Sequence, residues 1–315
     1  MVRGAALLVA ITLLTQAAPD ATSPTQLKVL ILAPPNAKLR SVDDVQATVL
    51  GSTAPAKIVG LVTPDHDLIL MLVLDLAGDV SVADRAKDAL AAEMEQLPST
   101  VHVALLRAQD DLRVILDPTL DRAAVQTAIR STPVSGRAAL LNTVETAVTL
   151  GDAVLAKSDV RFAILYVTDS SIGNYREDFT NPVINSSDAG DLSRSFPGAL
   201  IQEKISKLDS SLLRHQAPLF IAHINYQSDR LSEAYLNGLR QLSTTTGAMA
   251  LVCRSNAEIS TAIHDVLTSI AGHYSLTLQL PEAPRKPVEV RLSFPGFEGA
   301  GQGFGYRSRF TVRKH

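Results

Sequence analysis

The chain has 315 residues, of which 46% are hydrophobic and 19% charged, with a net charge of -3. That length corresponds to about two domains, or one large domain and one small, and the composition is that of a globular chain with a sizeable core. The near-neutral charge makes no electrostatic case for nucleic acid or an anionic membrane, and a single cysteine, Cys253, excludes an internal disulfide.

Arg3 precedes an apolar run over residues 5–14, and Thr15-Gln16-Ala17 then offers small residues at the positions a signal peptidase reads. A charged start, a short apolar stretch and such a site make a signal peptide over residues 1–21. The run is shorter than the ~20 apolar residues of a comfortable transmembrane span, although an uncleaved anchor is the alternative. The expected chain is therefore exported, periplasmic or secreted, with no membrane span in its mature part.

Residues 22–66 read as a β-rich segment. Residues 27–32 and 57–62 are apolar runs, and Val45, Ala47 and Val49 alternate with polar residues in the period of a half-buried strand. The pattern changes at residue 68. Residues 68–74 form a continuous apolar run ending at Asp75, as in a strand covered on both faces of a parallel sheet. A helix follows, with Val82, Ala86, Ala89, Leu90 and Leu97 on one face and Pro98 ending it. Residues 101–106 and 112–116 flank the turn Gln109-Asp110-Asp111 and read as a hairpin.

Helical patterns occupy residues 121–130 and 138–156, and residues 162–167 are another buried strand, ending at Thr168-Asp169. The polar segment 170–197 reads as a long loop, which in a compact domain is usually functional or mobile. Helix 201–213, strand 219–225, helix 231–245, strand 248–253 and helix 257–270 complete the alternation. Strands alternating with helices imply a mostly parallel sheet with helices on both faces, here over residues 67–272. In residues 273–315 the pattern returns to β, with Tyr274, Leu276, Leu278 and Leu280 alternating, then Val288, Val290 and Leu292, and a last strand over 307–312 after a glycine-rich turn. The two flanks are expected to pair into one small β-rich domain, since neither would bury a sheet face alone.

Ligands of open α/β sheets bind outside the carboxyl ends of the strands. Two strands end there in acids, Asp75 and Asp169, and Asp79 follows four residues after the first. Oxygen-rich clusters suit hard cations such as magnesium or calcium, while each aspartate taken alone also fits a helix cap or a turn. The histidines show no metal-ligand spacing, and no nucleophile motif is present.

Asp75-Leu76-Ala77-Gly78-Asp79 resembles the D-x-S-x-S loop of von Willebrand factor type A (vWA) domains. Ser135-Gly136-Arg137-Ala138-Ala139-Leu140 resembles the G-G-T-A-L segment of that family, and Val167-Thr168-Asp169 its T-D-G. Further along, residues 241–247 and 272–276 resemble the VWFA-related acidobacterial-type exported proteins, in which the vWA domain likewise follows a β-rich stretch. The resemblance implies a Rossmann-like fold and a metal-ion-dependent adhesion site with a position open to a partner's carboxylate. Asp75 and Asp169 match that site, but Ala77 and Asp79 stand where serines would be, and Ala138 where a threonine would be.

Three expectations for Asp75, Asp79 and Asp169 stay open. They bind Mg2+ or another divalent cation weakly in altered geometry, or Arg137 supplies an internal counter-ion, or they are solvated with no site at all. The functional expectation is a non-enzymatic, adhesion-type module that binds another protein. The alternatives are a structural or assembly scaffold and, last, a metal-assisted hydrolase.

Overall fold

The computed structural model describes residues 25–50, 56–179, 197–227, 229–280, 287–297 and 303–311. The expected signal peptide, most of the glycine-rich turn and residues 180–196 of the expected long loop lie outside these.

The central sheet has six strands: β4 (Leu68–Asp75), β5 (Val101–Arg107), β6 (Arg113–Thr119), β7 (Arg161–Thr168), β8 (Leu219–His223) and β9 (Ala250–Val252). Their order across the sheet is β6-β5-β4-β7-β8-β9. All pairs are parallel except the β5–β6 hairpin at one edge. The apolar run of β4 serves both faces by simple alternation. Leu68, Leu70, Leu72 and Leu74 join one core with α1 (Val80–Gln96), α2 (Arg122–Ser131) and α6 (Ile259–Gly272). Met71 and Val73 join the other, with α3 (Leu140–Leu155), α4 (Pro197–Leu212) and α5 (Arg230–Thr245). Each fully buried leucine contributes about 1.5–3 kcal/mol of transfer free energy, so this strand alone anchors both layers.

The flanks pair with each other. β1 (Thr25–Leu32) and β3 (Lys57–Val62) lie on either side of β10 (Tyr274–Leu280), all antiparallel. β2 (Gln46–Leu50) pairs with β11 (Val288–Ser293). These two small sheets enclose a third core built from Leu27, Val29, Ile31, Leu276, Leu278 and Val290 among others.

Three local expectations change. The segment after β7 is a 3-10 run, Ile172–Phe179, rather than open loop, and α4 starts at Pro197, a residue preorganised for the first helical position. The last strand is split into β12 (Gly305–Tyr306) and β13 (Arg309–Phe310). The break falls at Arg307, whose side chain turns inward to donate to the carbonyls of Leu212, Leu213 and His215 at the end of α4. A C-terminal helix end is electronegative, so a cation is stabilised there.

Candidate functional site

Numbered within the central sheet, the strand order is 3-2-1-4-5-6, which reverses direction between β4 and β7. Such a reversal opens a crevice at the carboxyl ends of the two strands. Asp75 is the last residue of β4 and lies opposite Thr168 of β7, with Asp169 the next residue along. The fold thus brings both acids to the switch point.

Asp75 is fully buried. Its Oδ1 accepts from the Ala139 amide at 2.7 Å, and its Oδ2 from the Leu140 amide at 3.2 Å and the Thr168 hydroxyl at 2.8 Å. Burial pushes its carboxyl up to about 7; the Ala139 amide and the Thr168 hydroxyl oppose that rise, and the Asp169 charge adds to it. Asp169, 4% exposed, accepts from the Ala77 amide at 3.0 Å and from the Gly78 amide at 2.6 Å. Burial raises its carboxyl as well, against those two amides. A Cβ at Gly78 would lie 2.8 Å from Asp169 Oδ2, so the close approach of this loop requires glycine.

The structure does not bring Asp79 into the pair. Its carboxylate caps α1, accepting from the amide and the hydroxyl of Ser81, both at 2.7 Å, and these bonds hold it below the usual carboxylate range. Arg137 is exposed. Its backbone pairs with Asp110, amide to Oδ1 at 3.0 Å and carbonyl to amide at 2.8 Å. The neighbouring Gly136 has φ +90°, and a Cβ there would overlap the Asp110 carboxylate. Backbone amides act on both carboxylates, and the Thr168 hydroxyl and the Asp169 charge act on Asp75.

A divalent cation needs six or more oxygen ligands, or near-octahedral geometry for magnesium. Ala77 and Ala138 bring methyl groups, and Asp79 is turned to Ser81. Among the described residues, no group of three or more His, Cys, Asp or Glu side chains could hold a metal ion. Both remaining carboxylates face N–H groups, whose positive ends would confront a cation. The side chains at these positions do not supply the ligand set that the resemblance implies.

A buried polar network missing from the sequence reading continues from Asp75. The Thr168 and Ser170 hydroxyls are 2.7 Å apart, as are those of Ser170 and Tyr235. The Tyr235 ring lies against that of Tyr175, centroids 6.1 Å apart, and the Tyr175 hydroxyl accepts from the Leu141 amide at 3.0 Å. His223 adds Nε2, 2.7 Å from the Ser170 carbonyl, and burial lowers its pKa to about 4, so the ring is neutral. Cys253 is buried, as expected, and burial raises its thiol to about 11, which leaves it unreactive.

A cleft of about 760 Å³ opens at the other end of the sheet, beside the residues that lead into β7 and β8. There Asp152 Oδ2 lies 2.9 Å from His215 Nδ1, while Oδ1 accepts from the Gln216 and Ala217 amides. The carboxylate thereby holds the turn ahead of β8.

Strand order, two helical layers and an acidic switch point define a doubly wound α/β domain with its ligand-presenting edge at the carboxyl ends of β4 and β7. No protein-family model matches the sequence, and no curated protein matches it. Solved structures that resemble it include the vWF domain of the type V pili tip protein Mfa5 from Porphyromonas gingivalis, at 14% identity over 66% of this chain and 96% of that one, with a TM-score of 0.43. A von Willebrand factor type A protein from Catenulispora acidiphila is 10% identical over 86% of this chain and 74% of that one, with a TM-score of 0.43. Proximal thread matrix protein 1 from the mussel byssus is 12% identical, with a TM-score of 0.42; the match covers 67% of this chain and 50% of that protein. The unit from β4 to α6 is, by its own strand order and helical layers, a doubly wound α/β domain.

Proposed function

We propose that this chain is an exported, non-enzymatic protein-binding module of the kind found in the VWFA-related acidobacterial-type proteins, with a degenerate metal site and a partner face at the carboxyl ends of β4 and β7. The observation that carries this reading is the contrast between two layers of that edge. Beneath, Asp75 and Asp169 spend their oxygens on internal donors and are both buried, so neither carboxylate is presented at the surface. Above them, the rim exposes Gly78, Asp79, Ser135 and Arg137 together with Val80, an apolar side chain left 55% exposed on the first turn of α1. Mixed polar rims with an apolar contact suit protein recognition.

The test is capture of a partner by the mature protein, repeated with Val80→Asp combined with Arg137→Glu. Both positions are exposed, so the fold should survive with less than about 0.5 kcal/mol of change. Loss of the captured partner supports the reading. Capture that survives both this variant and removal of residues 180–196 moves the role to the scaffold alternative. That alternative is favoured by one observation, the welding of the small sheets to the vWA-like domain through Arg161 and Arg307.

A further inference from the structure

The helix α3 begins without a side-chain cap of its own: its N-cap is Ala139. The first amides of a helix have no intrahelical partner and together carry about half a positive charge. Here they are met from outside. The amides of Ala139 and Leu140 go to the two oxygens of Asp75, and that of Leu141 goes to the Tyr175 hydroxyl. Thr168 has one hydroxyl proton. That proton is within reach of Asp75 Oδ2 at 2.8 Å and of Ser170 Oγ at 2.7 Å, and the Thr168 oxygen accepts from the Ser170 amide at 2.9 Å.

Two arms thus meet the start of α3: a chain from Asp75 through Thr168 and Ser170 to Tyr235, and Tyr175, whose ring lies 6.1 Å from that of Tyr235. The five side chains are each at most 1% exposed.

We infer that the positive end of α3 and the Thr168 hydroxyl do for Asp75 what a divalent cation does in a metal-dependent site, so that the strand-end face is assembled without metal. Tyr175 latches the 3-10 run Ile172–Phe179 to the same helix end by accepting from the Leu141 amide. Asp169 is served separately by the Ala77 and Gly78 amides, in a loop that closes on it because Gly78 has no Cβ. Tyr175 and Tyr235 are positioning residues. The inference deepens the proposed reading of this face, but its test reads the buried layer and no partner, so the two can fail separately.

Two measurements on the mature protein decide it. In the first, the melting temperature is compared in EDTA and with magnesium, manganese or calcium. A metal held by the native state at a hundredfold excess over its dissociation constant would raise the melting temperature by about 5 °C or more. No shift is expected. A rise of that size in wild type, lost in Asp75→Asn, overturns the inference.

In the second, amide hydrogen exchange is followed in Tyr175→Phe, which keeps the ring and removes the hydroxyl. Residues 171–179 and the first turn of α3 should lose about tenfold in protection, with or without metal, while α1 is unchanged. Should that variant fail to fold, Tyr235→Phe removes the hydroxyl at the far end of the chain from Asp75, and the first turn of α3 should lose protection there too. Unchanged protection in whichever variant folds overturns the latch.

Discussion

Arg161 opens β7 and is fully buried, and among the described residues its hydrogen bonds all go to backbone carbonyls. Its Nη1 donates to the carbonyls of Ala271 at 2.7 Å and His273 at 3.2 Å, and its Nη2 to those of Pro64 at 2.6 Å and His66 at 2.8 Å. Burial lowers its pKa to about 10, so it stays charged near neutrality. Arg161→Met keeps the length of the stem and strands four carbonyls. At about 1 kcal/mol for each, the low end for a buried group left without its partner, the loss is about 4 kcal/mol. For a domain of this size each kcal/mol is worth about 2–4 °C, so the melting temperature should fall by about 10 °C. The assay is thermal and urea unfolding of the mature protein followed by circular dichroism. Arg161→Lys should recover less than half of the loss, because a point-like ammonium cannot span four acceptors. A loss below about 1 kcal/mol for Arg161→Met would refute the argument that these bonds join the two parts of the chain.

Gly78→Ala places a methyl 2.8 Å from Asp169 Oδ2. A loss of about 1–3 kcal/mol in urea unfolding is expected, and a neutral substitution would show that the loop does not close on Asp169. Leu72→Ala should cost about 2–5 kcal/mol in the same assay, since the side chain is fully buried between α1 and the sheet. His273 is fully buried and, through burial first and the Arg161 charge second, titrates at about 3 rather than 6.5. Between those values the unfolded chain binds a proton that the folded chain refuses, so this histidine's contribution is present above pH 6.5 and is lost on acidification. The stability difference between wild type and His273→Gln should therefore shift by about 1.4 kcal/mol per pH unit between pH 6.5 and 4, against wild type at the acid end. A difference that does not change with pH would sink this assignment.

The parallel sheet was legible because β4 and β7 are written as unbroken apolar runs, a pattern that survives without knowledge of their neighbours. The hairpin β5–β6 and the amphipathic helices were legible for the same local reason. What the sequence hid is set by partners far along the chain. Nothing near Arg161 or Arg307 announces that each will give its donors to carbonyls about a hundred residues away or more. Asp75 and Asp169 could be placed at strand ends, but their donors come from residues 139–140 and 77–78, which carry no side-chain signal as donors. Asp79 shows the opposite balance: an aspartate ahead of a helix meets the amide two residues on before it meets a distant carboxylate. Tyr175 lies in a segment that read as polar loop and Tyr235 in a helix, and only the fold brings their rings together, centroids 6.1 Å apart.

The pairing of β3 with β10 has a mechanical consequence. Val62 faces Ser275, and the register continues back to Lys57 opposite Gln279. In connectivity these strands are the two arms of a hairpin whose turn is the whole doubly wound unit. That unit is therefore held by two neighbouring covalent tethers, both gripped by one guanidinium, where a domain strung on a single linker would swivel. A load applied at its far edge is divided between two adjacent strands of one sheet, pulled from the same end. A pull from that edge thus reaches the remainder of the chain as a force with a fixed direction.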